Sequence, residues 1–403
     1  MRTIGVVTVS RSDYGIYLPI LRRIRQDRGL RLHLIVGGMH LSPEFGLTVN
    51  AIEADGFEIG DRVDMLLSSD APEGIAKSMG LGTIGFAGVF ARSRPDILLV
   101  LGDRFDMFAA VVAALPFAVP VAHIHGGEST EGLIDEAIRH SITKMSHLHF
   151  VSTPGYAERV IRMGEEPWRV VVSGAPALDN LKELELLGEE EVNRRFHLDA
   201  ERPLLLVTFH PVTLEYGETA KQLEELLAAL GETDAHVLFT HPNADTSGRR
   251  IIERVQEFTR RRPNAQVVVN AGTQAYFSLM RRAQAMVGNS SSGIIEAASF
   301  ELPVVNIGAR QRGRVHGPNV LDAQCRAAEI RAALRKAMSR EFRNRLRGIV
   351  NPYGDGQAAR RIVEKLKDVR LDGGLLKKRF YDGGTRSDAH PLSRRRRLQP
   401  ALS

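Results

Sequence analysis

The chain has 403 residues, 43% hydrophobic and 25% charged, with a formal net charge of +6. At about 150 residues per domain that is two or three ordinary globular domains rather than a disordered or fibrous chain. From Lys377 onward there are eight basic and two acidic residues, which leaves residues 1–376 neutral and argues against a nucleic-acid-binding body. The one cysteine, Cys325, excludes an intrachain disulfide and a cysteine zinc site, and fits a reducing compartment.

The opening MRTIGVVTVSR is too short and too β-branched for a signal-peptide core. The longest uncharged apolar run, Met107–Ala122, contains Pro116 and Pro120 and falls short of the roughly 20 residues of a membrane helix. The expectation is a cytoplasmic protein with no membrane and no nucleic-acid partner.

Short β-branched runs predict strands near 3–9, 32–36, 97–101, 119–124, 148–151 and 170–172. A second series is expected near 204–208, 236–239, 266–269, 285–287 and 303–307. Helical stretches separate them; in one, Ile134, Ile138, Ile142 and Met145 share a face. Alternating strands and helices predict an α/β chain of two doubly wound, Rossmann-like domains with parallel sheets. The expected division is 1–175, 176–370 and a basic tail at 371–403, with a hinge near Gly174–Asn180. The segment LKELELLGEEEVNRRF after the hinge reads as a charged surface helix. The tail, with its DGG repeats and RRRR, reads as disordered.

In open parallel sheets, ligands bind beyond the carboxyl ends of the strands. The exits predicted here are polar. They read Ser10-Arg11-Ser12-Asp13, Gly37-Gly38-Met39-His40, Gly102-Asp103-Arg104 and His125-Gly126-Gly127-Glu128 in the first half. In the second half they read His210-Pro211, His241-Pro242-Asn243, Gly288-Asn289-Ser290-Ser291-Ser292-Gly293 and Gly308-Ala309-Arg310. Such clustering predicts one cleft lined from both domains. GNSSSG reads either as an anion cradle of backbone N–H groups, Ser290 and Ser291, or as a serine-rich helix cap. Glu296 can accept from a ribose diol or complement a helix dipole. Arg11, Arg104 and Arg310 suit a diphosphate.

Gly80-Leu81-Gly82-Thr83-Ile84-Gly85 matches the dinucleotide fingerprint, but no strand precedes it, and its glycines read as helix-packing residues. His123 reads as a satisfied buried histidine. His123 and His125 form no persuasive metal site, because no third ligand has fixed spacing. Asp135 and Arg139, at i,i+4, suit a helical ion pair. Cys325 is expected in a helix after the last strand, in a packing role.

SRSDYG, GDRFD, HIHGGE…GLIDEAIRH, HPVTLE, HPNAD, GNSSSGIIEAAS and NIGARQRGRVHGPNVLDA, in that order, resemble the hydrolysing UDP-N-acetylglucosamine 2-epimerases. The resemblance spans about residues 1–368 and includes relatives acting on the 2,4-diacetamido-6-deoxy (diacetylbacillosamine) sugar. It implies a GT-B-like architecture, sialic-acid-type biosynthesis, a likeness to homodimers, and no cofactor, whether NAD or metal. By position it implies catalytic roles for Asp103, Asp135 and His210, and UDP contacts from Arg11, Arg104, His241, Ser290, Ser291, Glu296 and Arg310. Many relatives have a catalytic glutamate where this chain has His125, so either His125 or Glu128 inherits that proton role. The implied reaction converts UDP-N-acetylglucosamine to N-acetylmannosamine and UDP, by UDP elimination through a glycal and addition of water. The same chemistry on the diacetamido sugar, a non-hydrolysing epimerase, a GT-B glycosyltransferase and a catalytically silent sugar-nucleotide sensor stay open as alternatives.

Overall fold

The computed structural model describes residues 1–69, 71–130, 134–210, 217–240, 248–269 and 271–383, with backbone only at 248–250. Among the described residues, thirteen strands form two sheets. The first holds β1 (Arg2–Thr8), β2 (Leu30–Gly37), β3 (Ile59–Val63), β4 (Ile97–Leu101), β5 (Val121–Ile124), β6 (Leu148–Val151) and β7 (Val170–Val172). The second holds β8 (Leu204–Thr208), β9 (His236–Thr240), β10 (Ala265–Val268), β11 (Ala285–Gly288), β12 (Val304–Ile307) and β13 (Val320–Ala323). Every pairing is parallel, as expected of strands buried on both faces. In β1, Ile4 and Val6 face one core while Val7 faces the other.

The strand orders are β3-β2-β1-β4-β5-β6-β7 and β10-β9-β8-β11-β12-β13. Winding reverses between β1 and β4 in the first sheet, and between β8 and β11 in the second. At such reversals the flanking loops part and leave a crevice. The four strands at these points deliver Arg11, Asp103, His210 and GNSSSG.

The two strands missing from the sequence reading, β3 and β13, are both sheet edges. Their side chains are partly exposed, so neither shows an apolar run. LKELELLGEEEVNRRF forms two short helices, Asp179–Glu183 and Glu189–Arg195, rather than one. In helix Ile134–Met145, Ile142 is buried but Ile134 is exposed, so the apolar face is shorter than its spacing suggests. Cys325 lies in the turn before helix Ala327–Met338, not inside a helix, and its thiol reaches the Gln222 carbonyl. GLGTIG lies within helix Pro72–Arg92, where a side chain at Gly82 would collide with Met65. That helix is long and apolar enough to cross a membrane, but Phe86, Val89 and Phe90 pack into the first domain's core.

The C-terminal segment departs most from expectation. Helix Ala358–Asp368 returns to the first domain, burying Ala359, Ile362, Val363 and Leu366 beside Tyr17 and Ile20. Both oxygens of Asp179 accept from its first amides, Ala358 and Ala359, at 2.9 Å. The segment after Leu371 is ordered as far as Gly383. Buried Arg169 donates to the carbonyls of Gly374 and Leu375, and Lys378 reaches the buried Glu165 carboxylate. Residues 384–403, with the RRRR run, lie outside the described residues.

Candidate active site

The first domain supplies one wall. Ser10 caps helix Arg11–Gln26 in a capping box with Asp13, which places Arg11 at the helix's first residue. Arg104, just beyond β4, is held through Nε and Nη2 by the buried Asp106 carboxylate, both contacts at 3.2 Å. Burial pushes the Asp106 carboxyl up, and Arg104 opposes that shift. Asp103 forms an ion pair with Arg139, which is 1% exposed. Arg139 also reaches Glu136 at 2.6 Å, Thr130 Oγ1 at 2.6 Å and the Glu128 carbonyl at 3.0 Å. One guanidinium therefore ties the β4 exit to the β5 loop and to helix Ile134–Met145, whose first turn carries Asp135.

The stretch HIHGGE after β5 folds tightly. His123 donates from Nε2 to the Gly102 carbonyl at 2.7 Å, and burial lowers it to about 3, so it is the satisfied core histidine expected. His125 takes the left-handed backbone region (φ +66°). Gly127 does the same, and a side chain there would meet the Tyr156 carbonyl at 2.6 Å. A non-glycine residue at positive φ costs about 1–2 kcal/mol, and such strain gathers at functional sites. The turn folds Glu128 back onto His125: Nδ1 to Oε1 is 2.7 Å, and Ser152 Oγ lies 2.9 Å from Nδ1 and 3.1 Å from Oε1. Burial works against ionisation of Glu128, but Arg314, His125 and Arg139 together hold its carboxyl well below the usual range. The charged form of Glu128 is therefore favoured, and it holds the His125 ring through Nδ1. His125 Nε2 has no hydrogen-bond partner among the described residues.

The second domain supplies the other wall. Asn289 of GNSSSG clamps the His210 backbone, accepting from its N–H at 2.7 Å and donating to its carbonyl at 2.8 Å. Burial and the nearby Arg310 push His210 well below its ordinary value, so it stands neutral. Gly288 is obligatory, because a Cβ there would lie 1.9 Å from the Thr208 carbonyl. Ser290 caps helix Ser291–Ile295, accepting from the Ser292 amide at 3.3 Å, as the cap reading proposed. That helix has only five residues, so its dipole is small and any anion would rely on the amides and hydroxyls themselves. Glu296 closes the helix as its C-cap, not in its first turn. Burial pushes its carboxyl up to about 7, and its Oε2 has no partner among the described residues. Arg310 Nη1 and Gln311 Nε2 both reach the Asn289 carbonyl.

The walls meet. Arg314, from the β12–β13 connection, pairs with Glu128 Oε2 at 3.3 Å and donates to the Ser129 carbonyl at 3.3 Å. Beside this contact Val151, Tyr156 and Val160 pack with Ile294, Ile295 and Tyr353. The structure thus gathers Asp103, His125, Glu128 and Asp135 on one side, and His210, Ser290, Ser291, Glu296 and Arg310 on the other. His241 with the rest of HPNAD, and HPVTLE beyond His210, lie outside the described residues. Sequence reasoning missed the central role of Arg139, which stood there only as a partner for Asp135. It also missed Ser152, Asn289 and Arg314. Arg139 and Arg314 lie within quoted motifs, but nothing in spacing alone says which carboxylates they meet.

Two facing parallel-sheet domains, with polar strand exits at both reversal points, define a GT-B-like sugar-nucleotide protein. Residues 22–367 match the UDP-N-acetylglucosamine 2-epimerase family, and the chain belongs to that family. A Legionella pneumophila protein named UDP-N,N′-diacetylbacillosamine 2-epimerase (hydrolyzing) is 36% identical over 378 residues, covering 94% of this chain and 99% of the relative. A Campylobacter jejuni protein named GDP/UDP-N,N′-diacetylbacillosamine 2-epimerase (hydrolyzing) is 38% identical over 384 residues, covering 94% and 99%. The fold matches a Neisseria meningitidis UDP-GlcNAc 2-epimerase solved with UDP-GlcNAc, with a TM-score of 0.79, 19% identity, and coverage of 91% of this chain and 99% of that one.

Proposed function

We propose that the preferred substrate is UDP-N,N′-diacetylbacillosamine, with UDP-N-acetylglucosamine as the second reading. The chain is a hydrolysing 2-epimerase of UDP-sugars. The two relatives at 36% and 38% identity carry the diacetamido sugar in their names, which supports the order of preference, whereas the sequence reading put N-acetylglucosamine first. The single observation that carries the mechanism is the pairing of a proton-exchanging dyad on one wall with a polar cradle on the other. His125–Glu128 and Asp103–Arg139 face His210, GNSSSG, Glu296 and Arg310.

His125 takes the role of the family glutamate. Glu128 accepts the Nδ1 proton, which leaves Nε2 basic and oriented. As Nε2 removes the proton from sugar carbon 2, the electrons of that bond form the C1=C2 double bond. The bond from C1 to the diphosphate oxygen breaks and UDP carries away its pair. Arg310, the GNSSSG amides and hydroxyls, Arg11, Arg104 and neutral His210 receive the growing charge. Glu296 accepts from the ribose diol. The glycal is then protonated at C2 from the opposite face by the acid form of Asp103 or Asp135; water forms the bond to C1 and passes its proton back to that carboxylate, while His125 releases the proton it took to solvent. The products are UDP and the free 2-epimerised sugar.

We also propose cytoplasmic placement, supported by the single cysteine, and a homodimer. For the homodimer, helix Pro72–Arg92 turns outward Leu81, 43% exposed, and Ile84, 73% exposed. Proton NMR with each UDP-sugar in heavy water tests the activity. Free sugar deuterated at C2, appearing together with UDP, supports the reading, and the faster sugar identifies the substrate. Nucleotide sugar epimerised but intact means a non-hydrolysing enzyme. No sugar release from either substrate rejects the proposal.

A further inference from the structure

The proposed proton-handling groups lie on the first domain, and most of the proposed diphosphate cradle lies on the second, with Arg11 and Arg104 added from the first. A glycal left beside a base with no leaving group, or a base poised before the cleft has closed, would waste substrate. Some group must report from one wall to the other. From the β12–β13 connection, Arg314 forms an ion pair with the catalytic loop.

We propose that Arg314 is a positioning residue that carries domain closure into the catalytic loop: its guanidinium, delivered by the UDP-binding domain, fixes Glu128 and through Glu128 the His125 ring. This rests on the function proposed above. Arg314 is 9% exposed on its side chain. Its Nη2 meets Glu128 Oε2 at 3.3 Å, while the other oxygen, Oε1, holds His125 Nδ1 at 2.7 Å. The carboxylate is thus shared, one oxygen to each domain's group. Arg314 Nε donates to the Ser129 carbonyl at 3.3 Å, gripping the same loop by its backbone.

The landing point is built with care. The Val315 amide donates to Tyr156 Oη and the Val315 carbonyl accepts from Tyr353 Oη, each at 3.0 Å. The two hydroxyls lie 2.9 Å apart, and both rings are buried. Tyr156 belongs to the first domain and Tyr353 leads into the C-terminal segment that returns to it, so the Val315 backbone is held against the first domain. Arg314 lies four residues after Arg310, on the same connection, so a shift that seats Arg310 on a diphosphate also seats Arg314 on Glu128. Its remaining nitrogen, Nη1, is buried without a partner among the described residues.

The test uses the full chain with Arg314→Met, Arg314→Lys, Glu128→Gln and the double variant Arg314→Met/Glu128→Gln. Loss of orientation without loss of chemistry costs about 10²-fold in kcat. The expected result is that loss in Arg314→Met, a smaller loss in Arg314→Lys, and UDP affinity by calorimetry within a few-fold of wild type. The double variant is expected to be no slower than Glu128→Gln alone, because both changes remove one coupled unit. Added guanidinium chloride at low millimolar concentration should restore part of the Arg314→Met rate. Wild-type kcat in Arg314→Met, a loss confined to UDP affinity, or fully additive losses would overturn the proposal. X-ray scattering keeps it separate from the reaction: UDP should compact the wild type but not Arg314→Met. Equal compaction overturns the latch, and a compact but inactive wild type overturns the proposed function instead.

Discussion

Replacing Arg139 by methionine removes the side chain that joins three segments of the catalytic wall. In the native structure Arg139 satisfies Asp103, Glu136, Thr130 Oγ1 and the Glu128 carbonyl. Methionine fills much of the volume but offers none of these donors. Breaking a buried ion pair by deleting one partner costs about 3–5 kcal/mol, because the other charge is stranded. Here the stranded carboxylates of Asp103 and Glu136 are 25% and 30% exposed, so water takes part in their solvation and the lower end applies, about 3 kcal/mol. At about 2–4 °C per kcal/mol for a domain of this size, the midpoint of thermal unfolding should fall by about 6–12 °C. Lysine keeps the charge but is a single point with three donors and cannot bridge both carboxylates in the plane of a guanidinium. Arg139→Lys should therefore recover more stability than turnover. The assays are calorimetric unfolding and UDP release with substrate at saturation; kcat in Arg139→Met should fall at least about 10²-fold from misplacement of Asp103. An Arg139→Met variant that unfolds within 2 °C of wild type and turns over normally, on the scale of about 2–4 °C per kcal/mol, would refute this account of the wall.

The raised Glu296 carboxyl has a directional consequence. Burial lifts it to about 7, so the folded chain keeps a proton there that the unfolded chain loses near 4.5, and this stabilisation is full below 4.5 and lost as pH rises through 7. If the ribose diol donates to its carboxylate, UDP binding below pH 7 releases a proton that Glu296→Gln abolishes; equal binding heats in two buffers of different ionisation enthalpy would reject it. Asp103→Asn and Asp135→Asn should each lose about 10²–10⁴-fold in turnover while keeping UDP affinity, and near-normal turnover in either removes that residue from the mechanism. Glu165→Gln should weaken the docking of the C-terminal segment. Burial opposes ionisation of Glu165, but bonds from His149, Lys144 and Lys378 hold it at about 2, so its stabilisation is present above 4.5 and lost as pH falls toward 2. An unchanged melting temperature at pH 7, together with an unchanged acid-unfolding curve, would sink that reading.

The fold was legible wherever burial left a contiguous apolar trace. ILLVL, LLLVT and VVNI are central strands covered on both faces, and each shows as an uninterrupted run. The edges β3 and β13 were not legible, because solvent takes half their side chains and the pattern dissolves. The return of helix Ala358–Asp368 to the first domain was equally hidden. Its apolar face at Ala359, Ile362, Val363 and Leu366 announces that it packs, but periodicity does not say against what. For the site, the strand-exit rule found most candidate residues, because the sheets reverse at β1/β4 and β8/β11, as such crevices require. What the rule could not supply was pairing. That Asn289 holds the His210 backbone, or that Arg314 meets Glu128, depends on loops brought together from 79 and about 186 residues apart. Charge and spacing along one chain carry no record of such distances.

The neutrality of residues 1–376 now has a structural meaning. An enzyme whose substrate carries a diphosphate might be expected to advertise a positive cleft, yet its arginines are matched by carboxylates. Arg104 rests on Asp106, Arg139 on Asp103 and Glu136, and Arg314 on Glu128. Pairing within the first domain fixes Arg104 and Arg139 before substrate arrives, so little reorganisation of these two is left for the moment of bond breaking. At Glu128 burial works against ionisation, and Arg314, His125 and Arg139 hold the carboxyl below its usual range. Arg310 stands apart, reaching a carbonyl, that of Asn289, on the cradle itself. On the proposed mechanism Arg310, the GNSSSG segment, Arg11 and Arg104 meet the leaving group, while Arg139 and Arg314 hold the acids and the imidazole in place. On that mechanism the reaction draws residues from both sheets' strand exits, so it depends on how the two are held together, and Arg314 on Glu128 is one contact that holds them.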